Sequence, residues 1–287
     1  LDSIVREVRK DRASGHYAGN QYCGWVIVYS LTTSEPLAIM DDFSLSAIRV
    51  GATTGVGVNY MANPNAKQVA LYGSGKQART NLEAVSKVRK LDRVKVYSPN
   101  PNHRRLFAEE MTDVVGAEII PVDSPEKAMD GADIVLCMGN SNTPLFDGNW
   151  LKPGMHVASI SAGRDKTHRD LNEDERRELD DTTFERSSLI IISSRAQMAW
   201  DEQDHLARQS DKLFDLGELL QGKVKGRKSE QEINLFASNT GTGNQFATAG
   251  AMVYEKAKEK GLGKEIPTEW LMTDVKKWAD RGFFPSP

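Results

Sequence analysis

The stretch QVALYGSGKQAR, residues 68–79, decides how the rest of the chain is read. QVALYG (68–73) is an apolar run of strand length. KQARTNLEAVSKVRK (76–90) carries a helical pattern directly after it. Between the two, Gly73, Gly75 and Ala78 stand in the spacing G-x-G-x-x-A. Gly73 permits a tight turn, Gly75 lets backbone approach a pyrophosphate, and Ala78 allows close packing of helix on strand. The helix N-terminus then offers free N–H groups and the positive end of its dipole to an anion. An ordinary glycine turn is the alternative. The strand before the motif and the helix after it are the context that favours a phosphate cradle.

Working outward, the same rhythm continues. RVKVYS (93–98) reads as a strand and NHRRLFAEEMTDVV as a helix capped by Asn102. EIIPV (118–122) is a short strand, and SPEKAMDG a helical turn with Ser124 as cap and Pro125 at the first position, where proline is favoured. DIVLCM (133–138), GMHVASIS (154–161), SLIIISS (188–194) and EINLFAS (232–238) are further apolar strands. Strands this apolar, without alternation, are buried on both faces, as parallel strands flanked by helices are. The expected fold class is therefore α/β, a Rossmann-type doubly wound parallel sheet. KLFDLGELLQG (212–222) reads as a helix.

Before the motif, WVIVYSL (25–31) and LAIM after Pro36 predict a hairpin with TTSE as its turn. SLSAIRVGATTGVGVNYMA (44–62) is rich in small residues and spaced like a close-packed helix, with a serine available as N-cap. ANPNAK (62–67) marks a domain entry. GNQFATAGAMVYEKAKEKG (243–261) reads as a long helix. The expected domains are 1–63, the N-terminal part of a smaller α+β substrate and dimerisation domain; 64–238, the dinucleotide-binding domain; and 239–287, a helix returning to the first.

Composition excludes several function classes. The 287 residues carry a formal net charge of -3, so the Lys/Arg surplus expected of a nucleic-acid binder is missing. No apolar run approaches the roughly 18 residues of a membrane span. The N-terminus, LDSIVREVRKDRASG, is charged and has no apolar signal core. Cys23 and Cys137 both sit in apolar, strand-like contexts, which predicts two reduced thiols and a cytoplasmic protein. No two of the five histidines have the close spacing that would put them on one helix face, so no protein-bound metal is expected.

The end of the second strand bears on the cofactor. Binders of NAD usually place Asp or Glu there to hold the ribose 2′-hydroxyl. This chain reads Ser98, Pro99, Asn100, Pro101, Asn102, His103, Arg104, Arg105, with no carboxylate to repel a 2′-phosphate. Hydroxyl, amide and guanidinium donors suit that phosphate, arginine especially, which favours NADP(H) over NAD(H). The alternative is that Arg104 and Arg105 form a solvated helix face.

Taken together, the chain resembles the ornithine cyclodeaminase/mu-crystallin family over roughly residues 17 to 270. The resemblance rests on YAGNQYCGWVIVY, EPLAIMDDFSLSAIRVGATTG, YGSGKQARTNLEAV, VYSPNPNHRRLFAEEM, ADIVLCMGNSNTPLF, WLKPGMHVASI, ELDDTTFERSSLIIISSRAQ, LGELLQGKVKGRKSEQEINLF and SNTGTGNQFA, in the family's order and spacing. It implies a Rossmann domain inserted into a smaller dimerisation and substrate domain, a homodimer, and hydride transfer between a nicotinamide and a C–N carbon. It also implies residue roles. Gly73, Ser74, Gly75, Gln77 and Ala78 would hold the pyrophosphate, and Ser98, Asn100 and Arg104 the 2′-phosphate. Gly139 and Asn140 would pass beside the nicotinamide half, and Thr53 and Thr54 would lie near the cofactor. Arg49 would bind the substrate carboxylate, for which a planar guanidinium is the natural bidentate clamp. A structural ion pair of Arg49 with Asp41 or Asp42 is the alternative.

The chain departs from the family pattern in three places. The family commonly has a lysine near Gln21, which can donate a hydrogen bond to a carboxylate but cannot act as an acid. The aspartate that ornithine cyclodeaminases carry after the strand HVASIS is not in register. Asp165, in AGRDKTHRD, is the candidate for proton transfer, with a solvated polar loop as the alternative. The family's N-terminal helix, strand and substrate arginine have no counterpart in this sequence, which is expected either to be a truncated piece or to have lost that segment. These departures favour an oxidoreductase of a small imino or amino acid, which needs only a hydride, a carboxylate anchor and a proton. A cyclodeaminase-type lyase needs a fuller acid–base set. A mu-crystallin-like NADPH-binding protein with little turnover is the third reading.

Overall fold

The computed structural model describes residues 24–139, 141, 143–160, 178–196, 209, 211–238 and 241–271. Residues through Gly250 form one compact unit, and Ala251 onward a second.

The first unit opens with an antiparallel pair, β1 (Trp25–Tyr29) and β2 (Pro36–Asp41), in which Ile27 faces Ile39. Ser34 in the turn adopts a positive φ of 61°. Helix α1 (Asp42–Met61) follows without a linker. Its cap is Asp41, not a serine: the carboxylate accepts from Phe43 N at 3.1 Å and Ser44 N at 2.9 Å. A carboxylate at the end of β2 satisfies two orphan donors of the helix start, so the helix begins three residues earlier than a cap at Ser44 would allow.

Among the described residues, eight parallel strands then form one sheet: β3 (Gln68–Tyr72), β4 (Arg93–Tyr97), β5 (Glu118–Val122), β6 (Ile134–Cys137), β7 (His156–Ser159), β8 (Leu189–Ile192), β9 (Leu213–Asp215) and β10 (Asn234–Ala237). Their spatial order is β5-β4-β3-β6-β7-β10-β8-β9. The chain winds outward from β3 to β5, then returns to the other side of β3 at β6. The expected doubly wound sheet is present, and the β3/β6 junction is its switch point, where a crevice opens at the carboxyl ends of the strands. All residues of β6, β7, β8 and β10 are buried, which is why their sequences show no alternation.

The connecting helices are α2 (Lys76–Val88), α3 (Pro101–Val115), α4 (Pro125–Met129), α5 (Asp181–Arg186) and α6 (Leu216–Leu220). Two differ from the sequence expectation. α3 starts at Pro101 and is capped by Asn100, whose side chain accepts from Asn102 N and His103 N; Asn102 lies inside the helix. The segment 212–222 is not one helix. Leu213–Asp215 pairs with Ile190–Ile192 as the edge strand, and only then does α6 begin, with a capping box between Asp215 and Glu218. The apolar Leu-Phe pair packs equally well in either periodicity, and the long-range pairing with β8 decides it. Helix α7 (Gly243–Glu259) spans the boundary between the two units. The second unit contains its second half and a 3₁₀ turn at Thr268–Leu271.

Two apolar clusters line the faces of the sheet. One joins Val58 and Met61 of α1 to Leu71, Leu82, Val94, Phe107, Leu136 and Phe236. The other, on the opposite face, includes Tyr72, Cys137, Phe146, Val157, Phe184 and Leu235. Cys137 is a free, buried thiol; Cys23 lies outside the described residues. Among the described residues no helix is long and apolar enough to cross a membrane, and no group of His, Cys, Asp and Glu could hold a metal ion.

Candidate active site at the sheet's switch point

The turn after β3 is shaped by one glycine. Gly73 has φ +114°, a region L side chains rarely adopt, and a Cβ there would stand 2.7 Å from the Met138 carbonyl oxygen. Its N–H donates to Tyr97 O at 2.8 Å, which fixes the turn over the end of β4. The turns after β3 and β6 therefore touch at the switch point, and only a residue without a side chain fits between them.

Gly75 is the N-cap of α2 and offers no side-chain cap; a Cβ there would meet nothing within 4 Å. The carbonyls of the turn are held from the other side. Arg79 Nη1 donates to Ser74 O at 2.6 Å and Gly75 O at 3.1 Å, while its Nε and Nη2 pair with Glu110. Among the described residues no acceptor takes the N–H groups of Ser74 through Ala78. An uncapped helix start with its amides free and space in front of it fits the diphosphate of a dinucleotide. Ala78 is fully buried, and Gln77 packs on the first turn with its Oε1 3.4 Å from Asn81 Nδ2.

The turn after β4 holds the other predicted phosphate ligands together. Ser98 is buried, and Arg104 Nη1 donates to the carbonyls of Ser98 at 2.8 Å and Pro99 at 3.4 Å. Asn100 Oδ1 is occupied in capping α3, which leaves its amide N–H₂ as the free end. Beside them, at the end of β5, Asp123 is held below the usual carboxylate range, chiefly by its hydrogen bond to Lys127 and in smaller part by Arg104.

Helix α1 runs alongside α2. Phe43, Gly51 and Gly55 meet Lys76, Thr80 and Ala84 in the same order. Lys76 Nζ donates to Phe43 O at 2.9 Å, and Cβ atoms built on Gly51 and Gly55 would lie 2.5 Å from Thr80 O and 3.2 Å from Ala84 Cβ. Arg49 is thereby brought beside the first turns of α2. It lies two turns inside α1, beyond the reach of the positive end of the helix dipole. Its guanidinium is half-buried, 4.9 Å from the Phe246 ring centroid, and burial alone pulls its pKa down. Its hydrogen bonds are weak and neutral: Nη1 to Gln245 Oε1 and Nη2 to Ser46 Oγ, both 3.4 Å. Nε is buried without a partner. Among the described residues no carboxylate pairs with it; Asp41, one of the two expected alternatives, caps α1 instead.

Thr53 and Thr54 differ. Thr53 Oγ1 donates to Arg49 O at 2.7 Å and accepts from Gln245 Nε2 at 3.2 Å. Thr54 is fully buried, its hydroxyl without a hydrogen-bond partner among the described residues. Gly139 follows β6, and its N–H donates to Glu178 Oε1 at 3.0 Å. Gln21, Asn140 and Asp165 lie outside the described residues.

Two side chains at the site were not singled out from the sequence. Glu178 is a fully buried carboxylate that takes the Gly139 N–H and the Ser159 hydroxyl (3.3 Å) at the ends of β6 and β7. It adds to burial in pushing the Cys137 thiol well up. In RRELDD it reads as one more solvated charge, and its one signal is the apolar Leu179 beside it. Gln245 stands at the start of α7, and nothing but its place in the block SNTGTGNQFA marks it.

Residues 15–261 match the model of the ornithine cyclodeaminase/mu-crystallin family. The chain is 28% identical over 251 residues to a Delta(1)-pyrroline-2-carboxylate reductase of Bacillus cereus, covering 85% of this chain and 74% of that protein. Among solved structures it is similar to Delta(1)-pyrroline-2-carboxylate reductase of Thermococcus litoralis in complex with NADH and L-proline (TM-score 0.74, 31% identity, 84% of this chain and 73% of that one). It is also similar to an archaeal alanine dehydrogenase dimer with bound NAD (TM-score 0.75, 25% identity, 88% and 78%).

Proposed function

The chain belongs to the ornithine cyclodeaminase/mu-crystallin family, and from that premise we propose that it is a nicotinamide-dinucleotide-dependent oxidoreductase acting at the C–N carbon of a small imino or amino acid. The observation that carries the reading is a pairing. An open, uncapped helix start at the switch point stands beside a half-buried arginine that has no acidic partner among the described residues. A bound nicotinamide would supply or accept the hydride. Ser74, Gly75, Gln77 and Ala78 would hold the diphosphate at the free backbone N–H groups of the helix start, Gly73 would shape the turn that lets it approach, and Gly139 brings the β6 turn alongside. Arg49 binds the substrate carboxylate through the nitrogens that neutral partners leave available, which fixes the C–N carbon in place. The proton comes from water or from Asp165, and Gln21 donates a hydrogen bond to the substrate. Residues 1–63 and 64–238 serve as substrate part and dinucleotide part.

Within this reading, Ser98, Asn100 and Arg104 hold a 2′-phosphate, so the cofactor is NADP(H). The assembly is a homodimer. Cyclic ketimine carboxylates, the class reduced by the pyrroline-2-carboxylate reductases it resembles, are the first substrates to try.

The experiment is steady-state reduction of pyrroline-2-carboxylate with NADPH and NADH, for the wild type and Arg49→Lys. Lysine keeps the charge but loses the fork. KM is expected to rise more than tenfold, with dinucleotide affinity and Tm nearly unchanged. Ammonia release from ornithine without net NADPH consumption would assign the lyase chemistry instead. An Arg49→Lys enzyme of unaltered KM would remove Arg49 from the site.

A further inference from the structure

We propose that Gln245 is a positioning residue for the substrate carboxylate: it holds the Arg49 guanidinium in place through a closed ring of hydrogen bonds while leaving its charge uncompensated. The inference rests on the assignment of Arg49 as the carboxylate anchor.

The ring is built from two elements distant in sequence. Arg49 Nη1 donates to Gln245 Oε1 (3.4 Å), Gln245 Nε2 donates to Thr53 Oγ1 (3.2 Å), and Thr53 Oγ1 donates to Arg49 O (2.7 Å). Gln245 Oε1 also accepts from Thr242 N at 3.1 Å, which fastens the amide to the first turn of α7. Both polar atoms of the amide are engaged, so its orientation is determined: Oε1 towards the cation, Nε2 towards the threonine. The Phe246 ring, next in sequence, supports the guanidinium from its face, and the backbone of Gly241 approaches so closely that a Cβ there would overlap Arg49. Arg49 is thus immobilised on three sides by groups that bear no charge.

The chemistry of the residue at 245 matters for this reason. A flexible arginine loses rotamer freedom when it binds an anion, and prior immobilisation removes part of that cost. A carboxylate at 245 would also immobilise it, but as a charge-assisted pair that competes with the substrate for the same fork. An amide orients without competing. If the position served only to tie α7 to α1, glutamate would be milder than methionine, since it keeps the acceptor contacts to Arg49 and Thr242 and loses only the donation to Thr53, whereas methionine loses all three. If the position serves the anion site, glutamate is the more harmful of the two to substrate binding.

The test compares Gln245→Glu and Gln245→Met with the wild type, using pyrroline-2-carboxylate as the substrate probe and measuring dinucleotide affinity and Tm in parallel. Gln245→Met, similar in shape and unable to make these hydrogen bonds, is expected to raise KM about fivefold to tenfold with kcat within twofold. Gln245→Glu is expected to raise KM about a hundredfold at pH 8, and the excess over Gln245→Met is expected to shrink as pH falls towards the carboxylate range. Dinucleotide affinity is expected to stay within twofold in both. A Gln245→Glu enzyme with wild-type KM overturns the proposal, as does a KM rise no larger than that of Gln245→Met or one that tracks lost dinucleotide binding. The two readings separate cleanly. If Arg49→Lys leaves KM unaltered, the anchor itself is wrong. If Arg49→Lys raises KM and Gln245→Glu does not, the anchor stands and the role of Gln245 falls.

Discussion

Ser98 follows β4 with its side chain buried, beside an asparagine whose oxygen already caps α3 and an arginine that already braces the turn's carbonyls. The two neighbours are therefore held in fixed positions, and the side chain at 98 is the simplest place to change the sign of the turn. A 2′-phosphate there would gain hydrogen bonds to a hydroxyl, an amide N–H₂ and a guanidinium. Losing one charge-assisted contact costs about 1.5–3 kcal/mol, or roughly tenfold to a hundredfold in affinity. NADPH is accordingly expected to bind more tightly than NADH by that factor, and Ser98→Asp is expected to invert the preference, because its carboxylate repels the phosphate and accepts from a ribose hydroxyl. Fluorescence titration with the two reduced dinucleotides measures this directly. The two solved relatives carry NADH and NAD, which makes the NADH arm of the titration decisive. Equal affinities in the wild type refute the assignment.

Helix α1 shows what element packing demands of sequence. Gly51 lies against the backbone of α2 at Thr80, whereas Gly55 has the methyl group of Ala84 as its nearest neighbour. Alanine gains about 1 kcal/mol over glycine in a helix interior at either position. At Gly51 the new Cβ would press on a carbonyl 2.5 Å away, and overpacking of that kind typically costs about 1–3 kcal/mol. Gly51→Ala is thus expected to lower Tm by a few degrees and to weaken dinucleotide binding, since α2 carries the phosphate turn; Gly55→Ala is expected to remain close to wild type. Thermal melts of the pair with and without dinucleotide decide it, and a Gly51→Ala protein as stable as Gly55→Ala would show that the helices separate freely. The small-residue pattern of 44–62 was legible as close packing, but its partner was not, because glycines and threonines specify an approach distance and no sequence of their own. The same limit applies elsewhere. The apolar strands and the G-x-G-x-x-A turn could be read directly, since burial on both faces and a positive φ each leave a local mark. The strand at Leu213–Asp215, the buried Glu178 and the Arg49–Gln245 contact depend on pairings between segments far apart in the chain, which local pattern does not carry.

Across the molecule, the opposite end of the sheet from the candidate site is fastened by a buried polar network. His156 Nδ1 meets Asn234 Oδ1 at 2.7 Å, and Asn234 Nδ2 donates to the carbonyls of Met61 and Gly226. Arg227 donates to Met61 O and Gly154 O, so α1, β7 and β10 are joined at one point. Because Asn234 Oδ1 can only accept, His156 carries a proton on Nδ1. Burial pushes its pKa down to about 3, and Arg227 and Arg89 disfavour the cation further. The unfolded chain then binds a proton that the native one refuses between pH 6.5 and about 3. The stabilisation is complete above the unfolded value and declines below it by up to about 1.4 kcal/mol per unit, roughly 2 kcal/mol between pH 7 and pH 5. Chemical denaturation of the wild type and His156→Gln at the two pH values should show that share of the acid loss only in the wild type; equal losses would mean the imidazole ionises in place. The hairpin poses the reverse problem, apolar surface that the described residues leave exposed. Val26, Val28, Ala38 and Met40 turn inward, and Val28 and Met40 lie near Gly250. Trp25, Ile27, Tyr29, Leu37 and Ile39 turn outward and are 70%, 42%, 55%, 38% and 53% exposed. A two-stranded sheet with a contiguous apolar outer face is marginal in water. A second copy presenting the same face would bury it isologously, as a twofold dimer requires. Light scattering at micromolar concentration is therefore expected to give twice the chain mass. The double substitution Ile27→Lys/Ile39→Lys, which places like charges directly opposite one another on that face, is expected to give the single-chain mass with dinucleotide binding retained. A wild type that is monomeric at those concentrations, or a lysine variant that remains dimeric, would move the interface away from this hairpin.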